Sequence, residues 1–175
     1  MYSRILLPVD NSPHSQAAAE LAAHLASRVG AEVVGLHVYA AQLHDARFRQ
    51  LEDGLPPRYQ QPGELSRQRA THDTLIARGL ELISRSYLDQ VEKVCRSQEV
   101  PFRGKTAEGK NCEAVLRELE QGGYDLVALG ALGLGAGPRS QMGSVCLRVL
   151  RGARCDVLVV RPGGGRGRVV VAIDG

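Results

Sequence analysis

The sequence has no Trp, and aromatic residues make up only 4 % of its 175 residues. A hydrophobic core therefore has to be built from Val, Leu, Ile and Ala, within an apolar content of 43 %. A chain of this length buries such a core without disulfides or metal ions. These figures predict one modest α/β domain.

The sequence also lacks an excess of either charge. The formal net charge is only +3, and the charged residues are dispersed along the chain. This balance argues against a nucleic-acid partner and is compatible with a small anionic ligand. No apolar run reaches membrane-spanning length, and the N-terminus has no charged-then-apolar leader pattern. We therefore expect a cytoplasmic protein without a membrane partner.

The residues that usually mark catalytic or metal sites lack the necessary spacing. The four Cys form no C-x2-C pair, and the five His show no H-E-x-x-H pattern. Neither a G-x-S-x-G elbow nor a triad is evident. We expect free thiols packed as small core residues, no metal-binding side chains and no catalytic residue. His37 lies near the end of a predicted strand and is interpreted as a hydrogen-bonded strand histidine.

Glycine, in contrast, is abundant, with 20 residues, and one group follows a strand. The apolar segment Asp125 to Gly130 leads into Gly133 and Gly143-Ser144, with the spacing G-x2-G-x9-G-S. Glycine lets a backbone approach a ligand closely. A helix that begins at 143–144 would direct free N–H groups into the loop, where an anion binds well. The pattern predicts a phosphate-binding loop.

Two commoner phosphate motifs are incomplete. Gly104-Lys105-Thr106 lacks the first glycine of a P-loop, because Glu99 occupies that position. We interpret this tripeptide as a polar strand end. The segment after Gly133 has Pro138 where the dinucleotide motif G-x-G-x-x-G requires its last glycine.

The N-terminus has the pattern of a buried strand followed by a helix. The strand runs from Arg4 to Asp10, Ser12 is a predicted N-cap, and Pro13 suits the first helical position. Apolar residues at helical spacing continue to Val29.

Further strands are predicted at 31–38, 101–107 and 156–161. Residues 40–71 are predicted to be an insertion, coiled or partly helical, that is a lid or an interaction surface. A long helix should follow, with an apolar stripe from Ile76 to Cys95 that is expected to pack in the core; a partner-binding face is the alternative.

The predicted order β-α-β-α-β-α-β-α-β gives an α/β fold, a doubly wound five-stranded parallel sheet with helices on both faces. Ligands of such Rossmann-like sheets bind outside the carboxyl ends of the strands. The acid after strand one, the end of strand two and the loop after strand four are expected to meet there.

Asp10-x-Ser12 after the first strand, the strand ending His37-Val38 and the G-x2-G-x9-G-S spacing resemble the universal stress protein family, of the ATP-binding type within the adenine nucleotide alpha hydrolase-like fold. Asn11 stands where the family usually has glycine, a mild departure because Asn tolerates left-handed backbone. The resemblance implies ATP with Mg2+ or Mn2+, and adenosine or phosphate contacts from Pro8, Val9, Asp10, Val38, Gly130, Ala131, Gly133, Gly143, Ser144 and Val145. Arg139, the only cation inside the loop, is added as a candidate phosphate ligand; an exposed, unpaired arginine is the alternative.

Asp10 either accepts a hydrogen bond from the ribose or braces the loop.

The resemblance implies a stress-response or regulatory module that binds ATP and dimerises, with the strand from Val157 to Val160 as the expected dimer edge. Three alternatives remain: a structural dimerisation module without ligand, a slow ATP-hydrolysing enzyme, and an adenylating or pyrophosphate-releasing enzyme. The last requires an S-G-G-x-D type loop, which the sequence lacks. No base that would activate water is evident.

The chain beyond the last predicted strand repeats its beginning. Residues 162–167 form a Gly-rich linker, and Arg168 to Asp174 matches the pattern of Arg4 to Asp10. We expect residues 1–161 to be one universal stress protein-like domain and 168–175 to be the first strand of a truncated second repeat. A sixth strand of the same domain is the alternative.

Overall fold

The fold is a five-stranded sheet in which every observed pairing is parallel. A computed structural model describes residues 1–137 and 140–163, without the side chains of 42–46. The strand order is β3-β2-β1-β4-β5. The predicted doubly wound α/β fold is therefore confirmed. The strands are β1 Arg4–Pro8, β2 Glu32–Tyr39, β3 Phe102–Glu108, β4 Leu126–Gly130 and β5 Asp156–Val160.

Helices connect successive strands, and the longest lies between β2 and β3. They are α1 Pro13–Val29, α2 Ala41–Glu52, α3 Pro62–Ser97, α4 Asn111–Gly122 and α5 Ser144–Gly152. The predicted insertion at 40–71 contains α2, a 3-10 turn at Pro57–Tyr59 and the first turns of α3, so its partly helical alternative is confirmed. Glu52 at the end of α2 accepts from Arg69 of α3 at 2.7 and 2.6 Å, and this ion pair joins the two helices.

The two faces of the sheet bury separate apolar clusters. Ile5 and Leu7 belong to the cluster that contains α1 and α3, whereas Leu6 belongs to the cluster that contains α4 and α5. All three side chains are fully buried. Because successive strand residues point to opposite faces, β1 needs apolar residues throughout. This requirement explains the unbroken apolar run of the first strand.

Helix α1 packs through small residues. Its buried face is Ala18, Ala19, Ala22, Ala23 and Ala26. Leu21, which the periodicity assigns to the buried face, is 39 % exposed. Small side chains allow the helix to lie close to the sheet, so the alanines rather than the larger residues define the packed face. The predicted N-cap is confirmed.

Other predictions concern single residues. The tripeptide Gly104-Lys105-Thr106 was wrongly predicted to be a strand end, because it lies in the middle of β3. The Lys105 ammonium group forms an ion pair with Glu118 at 2.5 Å. All four cysteines are free, and Cys95, Cys112 and Cys146 are buried, as predicted. No helix in the described part of the chain is both long and apolar enough to cross a membrane. Arg139, most of the linker and the predicted repeat strand at 168–175 lie outside the described residues.

Candidate functional site

A cleft opens at the carboxyl edge of the sheet, between β1 and β4. These strands pair only through Ile5 with Leu126 and Leu6 with Val127, although both continue beyond those residues. Pro8 is the last residue of β1, where its missing N–H costs no ladder hydrogen bond. The strand order reverses at this point, which is where ligands of doubly wound sheets bind.

The cleft has a volume of about 830 Å³ and gathers nearly all of the predicted site residues. This size lies within the range of small-molecule sites. Sequence reasoning placed eleven residues here, and only Arg139 falls outside the described residues. The lining includes Pro8, Val9, Asp10, Val38, Gly130, Ala131, Gly133, Gly143, Ser144 and Val145.

Asp10 joins the two segments that form the cleft. Its Oδ1 accepts from the Ser12 amide at 3.0 Å, and its Oδ2 accepts from the Leu134 amide at 3.0 Å. The first contact closes the turn into α1, and the second fixes the glycine loop that follows β4. The carboxylate is thus a brace for the loop, which was one of its two predicted roles.

Ser12 makes a second connection between the same segments. Its Oγ accepts from the Ser15 amide at 3.1 Å as the N-cap of α1 and lies 3.2 Å from the Leu132 carbonyl, to which it donates. The sequence predicts the first contact from local spacing. The second crosses 120 residues of chain and has no local signal.

Two of the loop glycines are required by close approach. A β-carbon on Gly130 would lie 2.7 Å from the backbone carbon of His14, so α1 begins directly against this strand end. A β-carbon on Gly133 would lie 2.7 Å from Asp10 Oδ2. Both distances are shorter than side chains tolerate without displacement of a neighbour. The loop therefore passes over Asp10 only because position 133 has no side chain.

The loop returns to the sheet at Gly143 and enters α5. The Gly143 amide donates to the Ala131 carbonyl at 2.7 Å, and the first bond of the helix runs from the Leu147 amide to the Gly143 carbonyl at 3.0 Å. The amides of residues 144–146 precede that bond and have no protein acceptor in the described part of the chain. They form the positive end of the α5 dipole at the cleft. The predicted helix start is confirmed, but Leu150, which the apolar pattern of this helix predicts to face inward, is 45 % exposed.

Arg161, just beyond β5, supports the far side of the loop. Its guanidinium donates to the Gln141 carbonyl. Sequence reasoning assigned this residue only to a strand end, because the contact depends on how the loop folds back. Arg161 is therefore a second cation associated with the loop besides Arg139.

The sequence analysis did not predict that helix α3 forms one wall of the cleft. Leu80, Ile83 and Tyr87 line the cleft opposite the glycine loop. Ile83 belongs to the stripe that was predicted to be core, yet it is 45 % exposed. The periodicity identifies a buried helix face correctly but cannot show where that face runs past the sheet edge into a cleft.

His37 connects this wall to the sheet. Its Nδ1 lies 2.8 Å from Ser84 Oγ, and its ring meets that of Tyr87 edge to face, with centroids 4.9 Å apart. Burial lowers the pKa of His37, and the nearby negative charge of Asp10 opposes this shift. The imidazole is consequently neutral at physiological pH. The prediction of a hydrogen-bonded strand histidine is confirmed.

Comparison with known proteins identifies the family. The model of the universal stress protein family matches residues 1–161. The universal stress protein MJ0531 of Methanocaldococcus jannaschii is 27 % identical over 161 residues, which cover 92 % of this chain and 83 % of that protein.

Solved structures show the same fold. Protein MJ0577 superposes on this chain with a TM-score of 0.71 at 19 % sequence identity. The superposition covers 94 % of this chain and 99 % of the MJ0577 chain. The universal stress protein UspA of Lactobacillus plantarum has a TM-score of 0.61 at 23 % identity, covering 91 % and 98 %.

Other structures of this fold contain adenine nucleotides. A universal stress protein in complex with cAMP has a TM-score of 0.58, the Archaeoglobus fulgidus protein with dAMP also has 0.58, and an Arabidopsis thaliana family member with AMP has 0.57. Their sequence identities are 18 %, 12 % and 12 %, and each covers at least 91 % of this chain. Because the family model spans nearly the whole chain, the protein belongs to the universal stress protein family.

Proposed function

We propose that this protein binds an adenine nucleotide, ATP with Mg2+ or Mn2+, in the cleft between β1 and β4, and that it acts as a stress-response or regulatory module. The observation that carries the proposal is the free amino end of α5, which opens onto the same cleft as the glycine loop. The complexes of related proteins with cAMP, dAMP and AMP support the choice of an adenine nucleotide.

The phosphates would lie at the α5 end of the cleft. The free amides of Ser144 and Val145 and the Ser144 hydroxyl supply donors, and the helix dipole favours negative charge there. Gly133 and Gly143 leave the backbone open to close approach. A β-carbon on Gly143 would make only ordinary contacts with the protein, 3.4 Å at the nearest, so its glycine is better explained by a ligand than by packing.

The nucleoside would lie toward β1 and β2. Pro8, Val9 and Val38 provide apolar surface, and Gly130 and Ala131 provide backbone at the loop entrance. Asp10 already accepts from two amides, but each carboxylate oxygen has capacity for a further donor. A ribose hydroxyl is therefore compatible with its bracing role.

The metal ion would be held by the phosphates. In the described part of the chain no three His, Cys, Asp or Glu side chains form a metal-binding group. Since Asp10 is the only acid among the described residues that line the cleft and is already hydrogen-bonded to the loop, we propose that ATP turnover is slow at most.

Nucleotide content of the purified protein tests the proposal. The protein is denatured, the released nucleotides are separated by chromatography, and Gly133→Val is treated in parallel. A β-carbon at position 133 would lie 2.7 Å from Asp10 Oδ2, so the variant must displace either the loop or the carboxylate that braces it. We expect about one ATP or ADP per chain in the wild type and little in the variant.

Gly63→Val is the control, because Gly63 does not line the cleft and a β-carbon there meets nothing within 4 Å. It should retain its nucleotide. A wild-type protein that is isolated empty and does not bind added Mg-ATP would refute nucleotide binding and favour a ligand-free interaction module. Equal nucleotide content in both variants would place binding away from this loop.

A further inference from the structure

The hydrogen bond with Ser84 determines which ring nitrogen of His37 carries the proton. Ser84 Oγ lies 2.7 Å from the Leu80 carbonyl and 2.8 Å from His37 Nδ1. The carbonyl can only accept, so the single hydroxyl proton of Ser84 must lie on that contact. Ser84 Oγ then serves as the acceptor toward His37. Both contacts are satisfied only if His37 Nδ1 carries the proton.

A neutral imidazole that carries its proton on Nδ1 has a bare lone pair on Nε2. His37 is neutral because burial lowers its pKa more than the charge of Asp10 raises it. Nε2 has no protein partner in the described part of the chain, and it is not among the polar atoms sealed from solvent there. Since His37 lines the cleft, the cleft contains a fixed hydrogen-bond acceptor on its α3 side.

The ring cannot easily exchange the two nitrogens. Ser84 is fully buried, and its hydroxyl is held by its own helix. Tyr87 packs edge to face against the imidazole with an interplanar angle of 85°. A flip of the ring would break the Ser84 contact and leave a buried hydroxyl oxygen without its donor, which is unfavourable. The acceptor is therefore preorganised.

We propose that His37 Nε2 is the specificity-determining acceptor of the cleft and receives a hydrogen bond from the 6-amino group of adenine. This inference rests on the nucleotide binding proposed above and assigns the base preference within that site. A 6-oxo base such as hypoxanthine would present an oxygen lone pair to the Nε2 lone pair. An unpaired or repelled polar group in a desolvated site is a strong basis for discrimination.

Two substitutions of His37 distinguish the role of Nδ1 from the role of Nε2. Asn places its amide near Nδ1, so His37→Asn keeps the Ser84 partner and removes the acceptor in the cleft. Gln reaches farther and places its amide near Nε2, so His37→Gln retains an acceptor there. Affinities for ATP and for ITP are measured by calorimetry on the wild type and on both variants, with thermal unfolding as the check of folding.

The wild type should prefer ATP over ITP by roughly tenfold or more, the factor for one hydrogen bond of about 1.4 kcal/mol. His37→Asn should bind both with similar affinity, and His37→Gln should recover part of the preference. An unchanged preference in His37→Asn would overturn the assignment of His37 while leaving nucleotide binding intact. Equal weakening of ATP and ITP would also overturn it, because His37 would then contact the sugar. A wild type that binds neither would refute the proposed function as well.

A measurement on the wild type alone covers the case of variants that do not fold. Nitrogen-15 NMR of the histidine side chains reports which ring nitrogen is protonated. We expect His37 to carry its proton on Nδ1, with an Nε2 resonance that shifts on addition of ATP. A proton on Nε2, or an Nε2 resonance that ATP leaves unchanged, would contradict the proposal.

Discussion

At the scale of single residues, Asp10 connects the two chain segments that form the cleft. Its two carboxylate oxygens hold the Ser12 and Leu134 amides, which belong to segments far apart in sequence. Hydrogen bonds to a charged group are among the stronger ones in proteins. The shape of the glycine loop therefore depends in part on the Asp10 side chain, which lies outside it.

Asp10→Asn should loosen the loop without unfolding the protein. The amide group replaces one accepting oxygen with a donor, so one of the two backbone amides loses its acceptor, at a local cost of about 1–3 kcal/mol. Hydrogen exchange read by mass spectrometry should show faster exchange in residues 131–143. Nucleotide affinity should fall together with loop protection.

Asn11→Ala is the control for that experiment, since Asn11 is exposed and, among the described residues, its side chain is hydrogen-bonded only to Gln16, at 3.3 Å. It should leave exchange of the loop unchanged. Loop exchange in Asp10→Asn at the wild-type rate would show that the brace contributes little to loop order.

At the scale of elements, helix α3 is packed against the sheet in one segment and exposed in another. Toward its end, Leu88, Val91 and Cys95 are buried against the sheet. In its middle, Leu75 and Leu82 are 65 % and 60 % exposed. Gly79 lies between them, in the helix interior, where glycine has the poorest propensity after proline.

Gly79→Ala should therefore stabilise the protein. A β-carbon at Gly79 meets nothing within 4 Å, and alanine loses less backbone entropy on folding, so we expect about 0.5–1 kcal/mol in the free energy of unfolding. Urea titration followed by circular dichroism measures this gain. Gly35→Ala is the contrasting variant, because its β-carbon would lie 2.9 Å from the Phe102 ring, and it should destabilise. Loss of stability in Gly79→Ala would show that the helix needs glycine for a reason beyond local packing.

The elements also show what the sequence reveals and what it does not. Caps and element ends depend on near neighbours, so the N-cap at Ser12, the strand end at Gly130 and the helix start at Ser144 were predicted correctly. Ser84 is different, because a serine between apolar positions has no signal for full burial. Its position makes sense only once α3 is packed on β2 beside His37. The α3 wall of the cleft was missed for the same reason, since periodicity reports burial and not the identity of the neighbour.

At the scale of the whole molecule, β5 is an edge strand of the sheet formed by the described residues. The Asp156 amide donates to the Asp125 carbonyl at 3.2 Å, and the Val160 carbonyl accepts from the Ala131 amide at 2.8 Å. In a parallel ladder alternate residues point to the same neighbour, so the amides of Val157 and Val159 face away from β4. Within the described part of the chain these amides have no strand partner, and we propose that β5 is the dimer edge.

Val159→Pro should convert the proposed dimer into a monomer. Proline removes an N–H that the β4–β5 ladder does not use, so the sheet of each chain is preserved while the outward edge loses a donor. Light scattering behind size-exclusion chromatography gives the mass, and circular dichroism checks the fold. Val159→Ala keeps the N–H and should remain dimeric. If Val159→Pro folds and still has the mass of two chains, another surface holds the dimer together. Because the cleft opens between β1 and β4, away from this edge, nucleotide content should be the same in monomer and dimer.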